Sequence, residues 1–464
     1  MRSDSTELPL QKLETLMRCL LQVERVKSSA QLYRENLLKF LSSLVKSSLQ
    51  EQISGNPRAA EKAVTKPGAE DEALIDSLRQ LDFADFSSLF EGVCDVVGQI
   101  LVRISRLHEH VLALVLRLLS ANDFKLPQSG TTADQLMLDL DEIVASMGDF
   151  AYLRVAKILA TRNEQAARLT IKEFLHLVSL CNRFSESIEK ISKRPGVTLK
   201  AALLSQAKSF LDVFHQRRTA QVTLLLDNEI WESALVPPEF QLLVDQLDAS
   251  HLDVIAQFTG DLFPENANGI SEDQRATMKE ILVIDGRTFH VTNTLLMLIR
   301  VATEYIQLAL QAQLLATDIS HRLVDVLKLY NSRACQLILG AGAMQSAGLK
   351  SITARHLAIS YQCLGAMIAL VPRMKQIFLA VFPKKQGVFL ADYDRFVRDS
   401  AEHQRELAAK FVAIMNDRIE KRTALIRVAQ PSAIVMTIGL LTLFRLSSGK
   451  MPTKPPVRTC TLGL

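Results

Sequence analysis

The stretch that decides the fold is VCDVVGQILVRISRLHEHVLALVLRLL, residues 93–119. Its apolar residues recur in alternating steps of four and three, at Val93, Val97, Ile100, Ile104, Leu107, Val111, Leu114 and Leu118. Such steps place side chains on one face of an α-helix. Flanking positions such as Val96 and Val115 are apolar too, so the face is wider than a two-stranded coiled-coil seam. The pattern predicts a long helix in a packed bundle, and therefore an all-α chain.

A second stripe occupies residues 1–54, where apolar residues from Leu13, Leu16 and Leu20 onward recur by threes and fours. Two consecutive steps of three occur around Val23 and Val26, which is a stammer in a heptad pattern. We expect one long helix or coiled coil that ends at Ser54-Gly55-Asn56-Pro57. Both stripes are candidate interaction faces: Leu13, Leu16, Leu20, Val93, Val97, Ile100, Ile104, Leu107 and Val111. The same period also builds an intramolecular core, and the residues alone favour neither alternative.

Turn-forming and polar residues between the helical patterns predict the domain organisation. Residues 55–72 are expected to be a linker, 73–226 a helical bundle, 227–280 an irregular segment with a mobile loop, 281–422 a C-terminal helical domain, and 423–464 a disordered basic tail without acidic residues. The strand signal is Ile281–Ile284 and Arg287–Val291 around Asp285-Gly286, a pair typical of a type I′ hairpin. The expected architecture is elongated, stacked helical bundles with one small β-hairpin.

Composition excludes several classes of protein. With 54 basic and 50 acidic residues, the net charge of +4 is too balanced for a nucleic-acid-binding protein. Six cysteines without a CxxC pair predict neither a disulfide framework nor a zinc site. The apolar run 433–444 is shorter than the roughly 20 residues that a membrane-spanning helix needs.

Short motifs give no support for catalysis or for a cofactor. Gly340-Ala-Gly342 lacks the third glycine of a dinucleotide loop and follows a helix pattern where a strand is required. The pairs Asp139/Asp141 and Asp392/Asp394 imitate a metal-binding DxD, but they lie near helix starts, where acids are favourable. We expect no metal, no cofactor and no enzyme; a helical enzyme with an unrecognised cleft is the alternative.

A basic cluster adjoins the apolar segment Ile377–Phe382. It comprises Arg373, Lys375, Lys384 and Lys385. Basic residues beside apolar ones favour contact with anionic membranes, so this cluster is a candidate membrane contact.

Four blocks of the sequence resemble the family of vacuolar protein sorting-associated protein 54, subunits of the Golgi-associated retrograde protein (GARP) tethering complex. They are FHQRRTAQVTLLLDNEIWESALVPPEFQLLVDQL (214–247), ILVIDGRTFHVTNTLLMLIRVATEYI (281–306), DVLKLYNSRACQLILGAGAMQSAGLKSITARHLAISYQCL (325–364) and AAKFVAIM (408–415). The third block is the most specific. The blocks are similar to the C-terminal half of that family, and the family pattern ends at about Arg422.

The resemblance implies stacked helical bundles of the multisubunit tethering type. It implies retrograde transport from endosomes to the trans-Golgi network, with sibling GARP subunits, SNARE proteins and small GTPases as partners. It also implies peripheral membrane association on the cytoplasmic face of the trans-Golgi network and endosomes, through the C-terminal part, with assembly through the preceding helices. A subunit of a related exocyst-like or endosomal tethering complex is the alternative.

Overall fold

The computed structural model describes residues 4–23, 25–54, 70–120, 133–257, 278–339, 352–382 and 390–429. The N-terminal half is helical, with α1 Asp4–Gln22, α2 Val26–Ser54, α3 Glu70–Gln80, α4 Phe83–Ser120, α5 Ala133–Ala160, α6 Asn163–Ala167, α7 Ile171–Ser192 and α8 Val197–Asp227. The C-terminal half contains α9 Pro238–Gln246, α10 Leu252–Gln257, β1 Leu282–Ile284, β2 Arg287–Phe289, α11 Asn293–Gln311, α12 Ala316–Leu339, α13 Ala354–Val381 and α14 Ala391–Ala429. Short 3₁₀ turns, Ala249–His251 and Gln313–Leu315, precede α10 and α12. The described chain is all-α with one small hairpin, which confirms the expected fold class.

The N-terminal stripe forms two helices where we expected one. α1 ends at Gln22 and α2 begins at Val26, which is where the stripe has its two consecutive steps of three. A step of three falls short of a full turn by about 60°, so two in succession rotate the apolar face away from its partner. Val23 is exposed whereas Val26 is buried. The break lets each helix keep its own apolar face toward the interior.

Three apolar cores follow one another along the chain. The distal core lies among α1, α2, α4 and α5 and contains Met17, Val115 and Ile143. The middle core lies among α2 to α5, α7 and the first turn of α8, and the C-terminal core extends from α7 to α14. α4, about 57 Å long by its 38 residues, contributes to both the distal and the middle core. The cores are therefore stacked and share their long helices.

α8 links the middle core to the C-terminal core. Its first turn places Leu199 in the middle core, whereas Phe210, Phe214 and Val222 belong to the C-terminal core. Phe210 stacks on Phe174 of α7 with ring centroids 4.0 Å apart. The expected boundary at residue 226 therefore divides the sequence pattern but not the packing.

The hairpin forms where the sequence predicts it. β1 and β2 pair antiparallel with Ile284 opposite Arg287, so Asp285 and Gly286 make a two-residue turn. Their φ angles are +51° and +73°, as a type I′ turn requires. Leu282 and Ile284 are buried in the C-terminal core, which anchors the hairpin to the helices.

By length and composition alone, α13 could cross a membrane. The bent pair Asn293–Gln311 and Gln313–Leu339 passes the same test when the two helices are taken together as one span. In the structure α13 packs against α11, α12 and α14. Met367, Leu370 and Met374 are fully buried there. Its apolar character thus builds the C-terminal core, and core helices pass the same composition test.

Several sequence expectations fall outside the described residues. These are most of the 55–72 linker, the loop within 258–277, the glycine motif at 340–342, Lys384 and Lys385, and residues 430–464. α14 continues to Ala429, seven residues beyond the expected boundary at Arg422.

Candidate functional site

An apolar groove of about 230 Å³ opens at the end of the bundle beside the distal core. α1, α2, α4 and α5 form its walls. We call it the distal groove, and its lining is Leu13, Leu16, Met17, Leu20, Val26, Ser29, Ala30, Tyr33, Ile104, Leu107, His108, Val111, Leu140 and Ile143. Twelve of these residues are hydrophobic, so the groove suits an apolar ligand surface rather than a polar substrate.

The groove brings together both stripes that the sequence singled out. Six of the nine candidate interaction residues line it: Leu13, Leu16, Leu20, Ile104, Leu107 and Val111. Leu16 and Leu107 keep 55% and 40% of their surface exposed, respectively. A partner could therefore contact these two side chains, since the fold buries neither of them fully.

The other three candidates belong to the interior. Val93 and Val97 are each 1% exposed in the middle core, and Ile100 packs against it half-buried. Of the two alternatives for the α4 stripe, intramolecular core thus holds for its first turns. The stripe reaches an open surface around Leu107, and it is buried again at Leu118 in the distal core.

Paired charges surround the groove. Glu14 of α1 accepts from Arg18 at 3.0 Å and from Arg117 of α4 at 2.7 Å. The side-chain hydrogen bond from Arg18 is the main cause that lowers the pKa of Glu14. These contacts tie α1 to α4 across the rim. The single carboxylate of Glu14 thus offsets part of the charge of the two arginines at this part of the rim.

The two DxD pairs serve as ion-pair partners between helices. Asp141 lies 2.9 Å from His108 Nε2, and Asp139 lies 3.6 Å from the Lys27 ammonium. In the second pair, Asp392 and Asp394 contact lysines of α12 and α13. No cluster of three or more metal-ligating side chains occurs within the described parts of the chain. Each carboxylate thus has a structural role in joining helices.

The structure places Arg373 and Lys375, two residues of the candidate membrane contact, in ion pairs. Arg373 pairs with Asp285 of the hairpin turn and donates to the Val244 carbonyl at 3.2 Å. Lys375 donates to Asp394 at 2.7 Å. The adjacent apolar segment is also used internally, since Phe378 is fully buried. Both cations and Phe378 thus help to hold α13 in the fold, and contact of the basic cluster with a membrane stays a prediction.

Sequence reasoning missed the contribution of α5 to this surface. Leu140 and Ile143 form the groove floor, three residues apart on one helical face. That spacing was visible in the sequence, but its position opposite α1 depends on a helix pairing that no local pattern specifies.

The fold and the site together define a class: an all-α protein of stacked helical bundles whose candidate site is an apolar groove between helices. A family model described as "Vps54-like protein" matches residues 286–418, from the hairpin turn to α14. Vacuolar protein sorting-associated protein 54 of Homo sapiens is 36% identical over 313 residues, which cover 67% of this chain and 31% of that protein. The Mus musculus protein of that name is 36% identical over 299 residues, covering 64% of this chain and 30% of the relative. The Drosophila melanogaster protein is 31% identical over 288 residues, covering 62% and 28%.

The chain belongs to the family of vacuolar protein sorting-associated protein 54. It spans about a third of the length of the curated relatives that it matches. No solved structure matches it.

Proposed function

We propose that the chain acts as part of a GARP subunit in retrograde transport from endosomes to the trans-Golgi network, by helix-mediated assembly and without catalysis. The observation that carries this proposal is the relationship to vacuolar protein sorting-associated protein 54 over two thirds of the chain. The fold is compatible with it, because stacked bundles present long helical faces to neighbouring subunits.

The distal groove is the proposed assembly surface. An amphipathic helix inserts its apolar residues into such a groove at helical spacing. Leu16 and Leu107 flank the opening and would contact the incoming side chains. We propose that the occupant is a helix of a sibling GARP subunit. SNARE proteins and small GTPases are proposed as further partners, with peripheral association on the cytoplasmic face of the trans-Golgi network and endosomes.

A related exocyst-like or endosomal tethering complex is the second candidate. The same groove would serve either complex, so the partner set distinguishes them. The family relationship favours GARP.

The test is a pull-down of sibling GARP subunits with the full chain and a variant carrying Leu16→Asp and Leu107→Asp. Each leucine contributes about 1.5–3 kcal/mol when buried, so we expect at least a ~100-fold loss of affinity. Leu16 is 55% exposed and Leu107 is 40% exposed, so we expect only a small fall in melting temperature, which a melting curve of the variant checks. Val97→Asp is unsuitable because it would place a charge in the middle core.

Leu242→Asp is the matched control. Leu242 is 51% exposed on α9, which is no part of the groove. Capture should survive this change. Undiminished capture of sibling subunits by the double groove variant would refute the assembly surface, whereas capture of exocyst-type subunits alone would favour the second candidate.

A further inference from the structure

The distal half of α14 carries an apolar face that no described residue covers. We call it the outer face, and it consists of Phe411, Val412, Met415 and Ile419, which are 37%, 55%, 37% and 58% exposed, respectively. Their spacing of three and four residues places them side by side on the helix. The described residues around them, from 416 to 424, are all exposed.

The outer face cannot be turned into the existing core. The proximal half of α14 is fixed by Phe396, Ser400, His403 and Leu407, all nearly fully buried against α12 and α13. At about 100° per residue, this buried stripe lies roughly a quarter turn from the outer face. Rotation of the helix to cover Met415 would therefore expose Leu407.

Two arginines flank the outer face. Arg418 and Arg422 are one turn apart and border the same edge of the apolar stripe. Neither has an ion pair within the described parts of the chain, whereas Asp417, on another side of the helix, is held by Lys421 at 2.7 Å. The opposite edge carries uncharged Asn416 and Thr423. Alongside these four apolar residues the face thus has a positive border on one side, because Arg405 on the opposite edge lies more than one turn before Phe411.

We propose that the outer face docks an amphipathic helix of a partner protein, with an apolar stripe bordered on one edge by glutamate or aspartate. The guanidinium group binds carboxylates with two parallel hydrogen bonds, so unpaired arginines spaced by one turn favour carboxylates at the same spacing. A helix lying on a lipid surface has basic residues along both edges of its apolar face, which this one does not. The proposal is independent of the distal groove, which lies on other helices.

The probes are two synthetic helical peptides with the same leucine stripe, one bordered by glutamates and one by lysines. Binding of the full chain is followed by fluorescence anisotropy. We expect the glutamate peptide to bind at least tenfold more tightly. Arg418→Glu with Arg422→Glu should reverse that preference, and Val412→Ser with Ile419→Ser should weaken binding at least tenfold. All four side chains are exposed, so the melting temperature should not change.

Arg217→Glu with Arg398→Glu is the matched control, because it changes two exposed arginines away from the outer face. It should leave the preference for the glutamate peptide intact. Equal binding of the two peptides would overturn the proposal. So would binding to phosphatidylserine vesicles that depends on Arg418 and Arg422 while the glutamate peptide fails, or self-association in sedimentation that is lost in the serine variant.

Discussion

Arg162 is a buried cation that joins α3 to the connection between α5 and α6. Arg162 is only 5% exposed, and its Nη1 donates to the carbonyls of Leu78 and Leu81 at 2.8 and 2.9 Å. These carbonyls lie at the C-terminal end of α3, where a helix leaves acceptors without intrahelical partners. The guanidinium also lies 4.4 Å from the ring centroid of Phe86. Burial lowers the pKa of Arg162, although it remains charged at neutral pH.

We predict that Arg162→Met destabilises the packing of α3 by about 3 kcal/mol. A hydrogen bond from a charged donor is worth about 1.5–3 kcal/mol, and the variant leaves two buried carbonyls without a donor. The methionine retains part of the apolar contact and no longer requires burial of a charge. The expected loss of stability is therefore smaller than the sum of the two hydrogen-bond energies. About 3 kcal/mol corresponds to a more than hundredfold faster hydrogen exchange of the α3 amides.

Hydrogen exchange followed by mass spectrometry measures this change locally, and urea unfolding reports the effect on the whole chain. Arg217→Met is the control, because Arg217 is exposed and donates a single bond of 3.3 Å to the Arg168 carbonyl. It should change stability by less than about 0.5 kcal/mol. A loss below about 1 kcal/mol in Arg162→Met would show that the carbonyls find water or other donors, and would refute the role assigned to this side chain.

Three further predictions concern one histidine and two glycines. His403 Nδ1 lies 2.9 Å from Asn331 Oδ1, and burial lowers the pKa of His403 to about 4. In the unfolded chain a histidine has a pKa of about 6.5, so the unfolded chain binds a proton at this residue before the folded chain does as the pH falls. Stability should therefore decrease by up to about 3 kcal/mol between pH 6.5 and 4, and urea midpoints of His403→Gln should show a shallower pH dependence. Gly98→Ala should raise the melting temperature by adding about 0.5–1 kcal/mol, because a Cβ there meets open space within a helix. Gly196→Ala should lower the melting temperature by removing about 1–3 kcal/mol of stability, because the added Cβ would lie 2.5 Å from the ring of Tyr152.

Features that depend on neighbouring residues were predictable from the sequence. The hairpin follows from Asp285-Gly286, since this pair adopts positive φ and fixes a two-residue turn by itself. The long helix α4 follows from a period that continues through about seven turns of one stretch, from Val93 to Leu118. In both cases the decisive interactions span a few residues, so a local pattern is enough to predict them.

Features that depend on distant residues were not predictable. Arg373 is neutralised by Asp285, 88 residues earlier in the chain, and nothing near Arg373 indicates that pairing. The division of the α4 stripe has the same origin. Val97 and Leu107 lie on the same stripe, yet Val97 is buried and Leu107 is open, because Val97 packs in the middle core, to which α7 contributes, and Leu107 lies beyond it. A periodic stripe identifies the apolar face of a helix but not how far its neighbours extend along it.

The two open surfaces are expected to select partners by different forces. The distal groove is apolar with a rim of paired charges, so its affinity comes from area removed from water, which added salt does not weaken. The outer face of α14 adds unpaired arginines at an exposed edge, where a Debye length of about 8 Å at physiological ionic strength already screens long-range attraction. Raising the salt concentration from 50 to 500 mM should therefore leave capture through the groove intact and weaken binding at the outer face. If the two responded alike to salt, the charge selectivity assigned to Arg418 and Arg422 would be contradicted.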